Sequence, residues 1–224
     1  MALIDILKVN VPTEFGCEFE DDDMNDSMWE LIRSIDRIKE FDYTDYAYGA
    51  SQFCIMPAGR EDIVIKIPFA GMYNYDDNED VTYFEEFYTP DYCKLSVDIF
   101  VQAVDAEVCD IFAKTALFGY SANGYPIYTQ PRIAEAMRDG GKHEGSKDSM
   151  NYIKSKRSTD PFGEYNRFNI NWLATAIDWY GAEFMDKTLK FIKDNQYIDD
   201  LHEGNYGWMA SGQPIIFDYA GFEY

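Results

Sequence analysis

Apolar and polar positions along the chain alternate between two periods. Leu3-Ile-Asp-Ile-Leu-Lys-Val-Asn-Val alternates apolar with polar residues and predicts a strand, closed by the acidic cluster Glu18 to Asp23 as a solvated turn. From Asn25 to Glu40 the residues Met28, Leu31, Ile32, Ile35 and Ile38 recur at helical spacing, which predicts an amphipathic helix with its charges in water. Tyr46 to Phe69 holds two apolar runs, around Phe53-Cys-Ile-Met and Ile63-Val-Ile-Lys-Ile, separated by Pro57-Ala-Gly-Arg-Glu-Asp, the signature of a hairpin. The polar stretch Asn74 to Asp80 ends the sheet pattern, and the residues from there to Cys109 read as helical with a break at Pro90. Strands return at Ile111 to Tyr120 and Tyr125 to Gln130, on either side of the turn Ser121-Ala-Asn-Gly. After Pro131 a short helix is expected, then a polar, Gly-, Lys- and Ser-rich region from Gly140 to Gly163 that reads as an ordered insertion or a mobile loop, with mobility the expectation. One long helix is predicted from Asn169 to Asn195 on the spacing of Trp172, Leu173, Ala176, Ile177, Tyr180, Phe184, Leu189 and Phe191.

Composition narrows the class. A chain of 224 residues that is 46% hydrophobic and 17% aromatic can bury one substantial core or two small lobes. No window approaches the roughly 18 apolar residues of a membrane span and the N-terminus has no basic, apolar leader, so a cytoplasmic protein is the expectation. Cys17, Cys54, Cys93 and Cys109 lack paired metal-ligand spacing and read as free thiols. A net charge of −22 disfavours direct nucleic-acid binding, because phosphate contacts need Lys and Arg to displace counterions. The same charge would suit a DNA mimic that occupies a basic groove on another protein.

Candidate chemistry lies near the C-terminal end of the sequence. Asp200 and Asn205 are five apart, and Asp218 follows thirteen later behind the apolar run Ile215-Ile-Phe217. A hairpin through Tyr206 to Met209 and Pro214 to Phe217, turning at Ser211-Gly, would set Asn205 beside Asp218 as two oxygen donors for a metal. Phosphoryl transfer needs such donors for magnesium, a cation on the phosphates and a carboxylate to orient the attacking hydroxyl. Lys66, inside the apolar run Val64-Ile-Lys-Ile, must find an anion or, on an edge strand, reach solvent. His202 reads as a structural member of the loop, and His143 as loop surface.

Asp200-Leu-His-Glu-Gly-Asn resembles the catalytic loop Asp-Leu-His-Pro-Gly-Asn of aminoglycoside-phosphotransferase-like kinases, and is similar to that of the compact protein kinases of T7-like bacteriophages. The resemblance implies an α+β, compact, two-lobed protein-kinase-like fold. Its N-lobe would cover residues 1–130, with a mostly helical, truncated C-lobe at 131–224, and ATP and magnesium would lie in the cleft between them. It also implies roles: Asp200 as catalytic base, Asn205 and Asp218 as magnesium ligands, and Lys66 on the phosphates. The turn at Tyr48-Gly-Ala-Ser would take the place of the glycine-rich loop, with Gly49 and Ser51 near the phosphates. Asp98, or else Glu107, would pair with Lys66, and Tyr128-Thr-Gln-Pro131 would meet the adenine through backbone groups. Asp218-Tyr-Ala-Gly221 stands where Asp-Phe-Gly is expected, with its glycine one place late, and Ile198-Asp199 replaces the His-Arg that precedes the catalytic aspartate.

The sequence runs only six residues beyond Asp218, so no activation segment or later helices are in view. Two functions are therefore expected to compete. One is a phage-type Ser/Thr protein kinase acting on host proteins in the host cytoplasm. The other is a catalytically inactive, strongly acidic kinase-fold protein that binds and inhibits a host nucleic-acid-binding or defence protein. Neither reading includes a membrane partner, and the sequence leaves the oligomeric state open.

Overall fold

A computed structural model describes residues 2–18, 24–49, 51–75, 81–86, 91–140 and 143–221. The protein is α+β. It divides into two compact units, one formed by Met1–Lys94 with Thr115–Pro131 and the other by Leu95–Lys114 with Arg132–Tyr224. The stretch 95–114 thus counts with the later residues, where the sequence reading placed it ahead of a boundary at 130.

The first unit opens on a 3-10 helix at Leu3–Lys8, where alternation predicted a strand. The relevant spacing is three: Leu3, Ile6 and Val9 fall on one side of a three-residue turn, with Ile6 and Val9 fully buried. Strand β1 (Gly16–Glu18) follows, and then helix α1 (Asp26–Ile35), capped by the Asn25 side chain, which accepts the Met28 N–H at 3.0 Å. The helix buries Met28, Leu31, Ile32 and Ile35, the stripe the sequence marked.

The central element of this unit is an antiparallel five-stranded sheet. It contains β2 (Tyr43–Tyr48), β3 (Gln52–Pro57), β4 (Ile63–Pro68), β7 (Ala116–Tyr120) and β8 (Pro126–Pro131), ordered β2-β3-β4-β8-β7. Both predicted hairpins are present, β3–β4 and β7–β8, although β7 starts at Ala116 because Cys109–Ile111 forms a 3-10 turn. One sheet face is apolar: Phe53, Ile55, Ile65, Ile67 and Ile127 pack with Ile6, Phe15, Met28, Leu31 and Ile35. A smaller sheet adds β5 (Gly71–Tyr75) between β1 and β6 (Val81–Glu86). Residues 81–86 were expected to be helical; the β-branched and aromatic Val-Thr-Tyr-Phe instead pairs with β5, and helix begins at α2 (Tyr92–Asp105).

In the second unit, β9 (Glu135–Ala136) and a 3-10 turn at Met137–Asp139 replace the short helix expected after Pro131. The expected mobile loop is also corrected, because α3 (Lys147–Thr159) occupies most of it. Ser146 caps this helix through the Ser149 N–H, and the Ser146 and Ser149 hydroxyls donate to Asp178 at 2.7 and 2.5 Å. The single long helix splits into α4 (Ile170–Tyr180) and α5 (Ala182–Asp194) at Gly181, whose φ of 90° no helix accommodates. The hairpin β10 (Tyr206–Trp208) and β11 (Pro214–Ile216) forms as predicted, with β9 on its other edge.

Candidate functional site

The β10–β11 hairpin is fixed from beneath by α4. The Trp172 indole N–H donates to the Gly207 carbonyl at 2.8 Å, the Trp208 indole N–H donates to the Thr175 hydroxyl at 3.1 Å, and the Tyr180 hydroxyl donates to Pro214 O or Asp110 O at 2.8 and 2.9 Å. Ala113 N–H donates to Ile216 O at 2.7 Å, tying the second strand to the chain after α2. Antiparallel register then sets the residues just outside the open end next to each other. Asn205 O accepts both the Phe217 N–H at 3.0 Å and the Asp218 N–H at 3.3 Å. Asn205 and Asp218 are therefore side by side, as the predicted hairpin requires.

Asp200 joins them through the loop. The Asn205 side-chain amide donates to the Asp200 carbonyl at 2.8 Å, which leaves the Asn205 Oδ1 as the oxygen donor of a buried side chain. Leu201 and Ile198 are buried in the core of this unit and hold the loop from inside, while the Asp200 side chain is half exposed. Burial against the loop, together with the nearby charge of Asp218, holds the Asp200 carboxyl above the ordinary aspartate range. His202 Nε2 lies 3.5 Å from the Asp200 carboxylate, and its Nδ1 accepts the Gly204 N–H at 3.0 Å. That second bond fixes the imidazole within the turn, the structural role the sequence suggested for it.

Two residues that sequence reasoning left without a role complete the cluster. Tyr219, where the resemblance has Phe, is fully buried, packs edge-on to Phe112 and donates to Ser96 O or Ala113 O at 3.1 and 3.2 Å. It anchors the backbone immediately after Asp218. Gly221 donates to Tyr197 O at 3.0 Å, and a Cβ at Gly221 would lie 2.9 Å from both the Asp200 Cβ and the Asp200 N. The displaced glycine of Asp-Tyr-Ala-Gly is thus the point where the two loops touch. Gly221→Ala is expected to cost roughly 1–3 kcal/mol, the usual range for over-packing, and urea denaturation of the variant checks it. A third contact comes from Arg167, which donates to the Asp199 carbonyl at 3.1 Å and pairs with its carboxylate at 3.2 Å, steadying the residue before Asp200.

In the first unit, Lys66 is buried on β4, the middle strand of the five-stranded sheet, which removes the edge-strand explanation. Its cross-strand neighbours are Cys54 and Tyr128, so these share its face, as Val64 shares it with Gln130. This second sheet face is polar and largely buried: Gln52, Lys66, Tyr128 and Gln130 are each buried. At the start of α2, Asp91 accepts the Lys94 N–H at 2.7 Å and a short bond from the Tyr128 hydroxyl, and the Cys93 thiol donates to Gln52 at 3.2 Å. Burial holds Asp91 above the ordinary range, and burial plus the Asp91 charge push the Tyr128 phenol up. The sequence offered no pattern for Asp91, because its partner is 37 residues away.

Other sequence expectations fare differently. Gly49 and Ser51 lie in the tight β2–β3 turn, where Gly49 N–H donates to Gln52 O at 3.1 Å and Ser51 O accepts the Phe69 N–H at 2.9 Å. A Cβ at Gly49 would meet nothing within 4 Å, so space does not demand glycine there. Asp98 is exposed on α2, and Glu107 forms its ion pair with Lys187 at 2.7 Å. Thr129, Gln130 and Pro131, expected to meet adenine through backbone groups, are strand residues opposite Ile65, Val64 and Ile63, and the chain leaves the sheet only at Arg132.

Among the described residues no group of three or more His, Cys, Asp or Glu side chains is placed to hold a metal. Asp200, Asn205 and Asp218 offer instead two carboxylates and an amide. No helix among the described residues is long and apolar enough to cross a membrane. Neither a scan of protein-family models nor a search of curated proteins returns a match to this chain.

Proposed function

We propose that the protein is an ATP- and magnesium-dependent phosphotransferase of the protein-kinase-like type, transferring the γ-phosphoryl group to a Ser or Thr hydroxyl on a protein. The observation that carries this reading is the hairpin closure that brings Asn205 and Asp218 together with Asp200 five residues upstream. The donor set fits magnesium, which takes one or two carboxylates along with phosphate oxygens and water, so a cluster of three acids is not required. Repulsion between Asp200 and Asp218 gives the site a reason to take up a cation. Bound magnesium would neutralise charge on the phosphates. Asn205 and Asp218 would hold it, and Asp200, raised in pKa and half exposed, would accept the proton of the attacking hydroxyl. Lys66, on the third strand of its sheet and following a tight turn between the first two, occupies the place in chain order of a phosphate-contacting lysine.

The test is a thermal shift followed by a transfer assay. Mg-ATP at about 100 times its dissociation constant is expected to stabilise the protein by roughly 2.7 kcal/mol by mass action, and Asp218→Ala to remove that gain. Transfer of radiolabel to a protein acceptor is expected for the native chain and not for Asp200→Ala. A protein that neither shifts nor labels, and whose activity in cells survives Asp200→Ala but not neutralisation of its acidic clusters, would be the acidic binding protein instead.

A further inference from the structure

A pocket of about 310 Å³ in the first unit is lined by Asn10, Val11, Pro12, Glu30, Arg33, Ser34 and Arg37. Its chemistry runs against the rest of the molecule. The chain has 41 acids to 19 Lys and Arg, yet here two arginines and one acid meet. Arg33 stands in the last turn of α1, Arg37 lies two residues past the helix in the turn that follows it, and both are exposed. Neither forms an ion pair or side-chain hydrogen bond among the described residues. A helix C-terminus favours positive charge on its own account, but that does not account for a concave site with further donors. The Ser34 hydroxyl accepts the Asn10 N–H at 2.9 Å, which leaves its own proton to donate outward. Val11, buried, and Pro12 give the floor, and the Val11 N–H is bound to Asn123 at 3.1 Å, so the floor is fixed.

We infer that this pocket binds a phosphate monoester, with the Arg33 and Arg37 guanidiniums on its oxygens and the Ser34 hydroxyl as a third donor. Guanidinium forks match the oxygens of a phosphate and keep their charge at every physiological pH. Glu30 is the opposing group and sets the affinity below its maximum. The site lies apart in sequence from Lys66, Asp200, Asn205 and Asp218, and the inference does not rest on the phosphotransferase reading.

Isothermal titration of the full chain in magnesium-free buffer tests it, with inorganic phosphate, a phosphoserine peptide and the same peptide unphosphorylated as probes. Saturable binding of phosphate is expected, weakened by roughly tenfold or more in Arg33→Gln/Arg37→Gln. Arg33→Lys/Arg37→Lys should fall between, because it keeps the charges and loses the forks. Glu30→Gln should tighten binding, and Lys66→Ala and Asp218→Asn should leave it unchanged. A phosphoserine peptide that binds more tightly than phosphate, with the unphosphorylated peptide silent, identifies a protein-borne ligand; equal affinities identify a free one. Absence of saturable phosphate binding would overturn the inference, as would binding that survives the double Gln variant or is lost with Lys66→Ala. Both arginines are exposed, so the variants should keep the native thermal midpoint, and Glu30→Gln gives a readout independent of them.

Discussion

Asp218→Asn is expected to slow Mg-ATP-dependent phosphoryl transfer on the order of 10³-fold, the scale at which one preorganised charged group contributes to a transition state, while making the ligand-free protein more stable. The two effects share one cause. Asp218 N–H is bound to Asn205 O, and its neighbour Tyr219 is locked in the core, so asparagine keeps the backbone position and removes the charge. With the charge goes the repulsion that, after burial, raises Asp200. Asp200 is half exposed, so solvent screening limits the gain to below about 1 kcal/mol. At this chain length that is a rise of roughly 1–3 °C in thermal midpoint. Differential scanning calorimetry of both proteins, with and without Mg-ATP, separates the outcomes. A variant that is less stable without ligand, or that still gains stability from Mg-ATP, would remove Asp218 from the proposed site.

The same pair fixes a pH dependence. Asp200 has a higher pKa folded than unfolded, so between those two values the folded state binds more protons, and stability falls as pH rises through that window. Its contribution is present in full below the unfolded value of about 3.9 and is lost above the folded one. Asp218→Asn should narrow the window from above, leaving the smaller part that burial imposes. Magnesium, by favouring the ionised carboxylates, should act in the same direction in the native protein.

Local signals in the sequence were strong where structure is local. The α1 stripe, the β3–β4 and β7–β8 hairpins and the β10–β11 turn each carry their periodicity or turn residues within some 20 positions. The pairing of Asn205 with Asp218 was legible for that reason, because a hairpin's register follows from its turn. What was not legible depends on distant partners. Residues 81–86 are a strand because β5 is there to pair with, and Ser146 starts a helix whose cap is braced by Asp178, 32 residues on. Leu3–Lys8 failed differently: alternation and three-residue spacing overlap in so short a run, and burial chose the second. Gly221 was noted as one place late, but only the approach of Asp200 explains it. The polar sheet face around Lys66 could not be foreseen from β4 alone, since Gln52, Asp91 and Tyr128 reach it from three other segments.

Trp172→Ala should be the most destabilising single substitution, costing roughly 3–5 kcal/mol for the lost ring and the cavity it leaves. The ring is fully buried, stacks on Phe168 at 5.1 Å and meets Tyr206 at 4.8 Å. Its indole N–H is also a partner of the buried Gly207 carbonyl, and stranding that acceptor adds roughly 1–3 kcal/mol. Against a total stability of about 5–15 kcal/mol, the sum is enough to unfold much of the second unit at 37 °C. Trp172→Phe divides the effect: it restores most of the apolar contact and none of the hydrogen bond. Its loss should therefore stay near the cost of the stranded carbonyl. Urea denaturation followed by circular dichroism measures both, and a Trp172→Ala cost below about 2 kcal/mol would show that α4 does not anchor the hairpin. The functional consequence distinguishes anchoring from bulk packing. Gly207 lies two residues from Asn205, so loosening it in the folded Trp172→Phe variant should reduce the Mg-ATP thermal shift, whereas Ile153→Val, a core change in α3 of similar burial, should leave that shift intact.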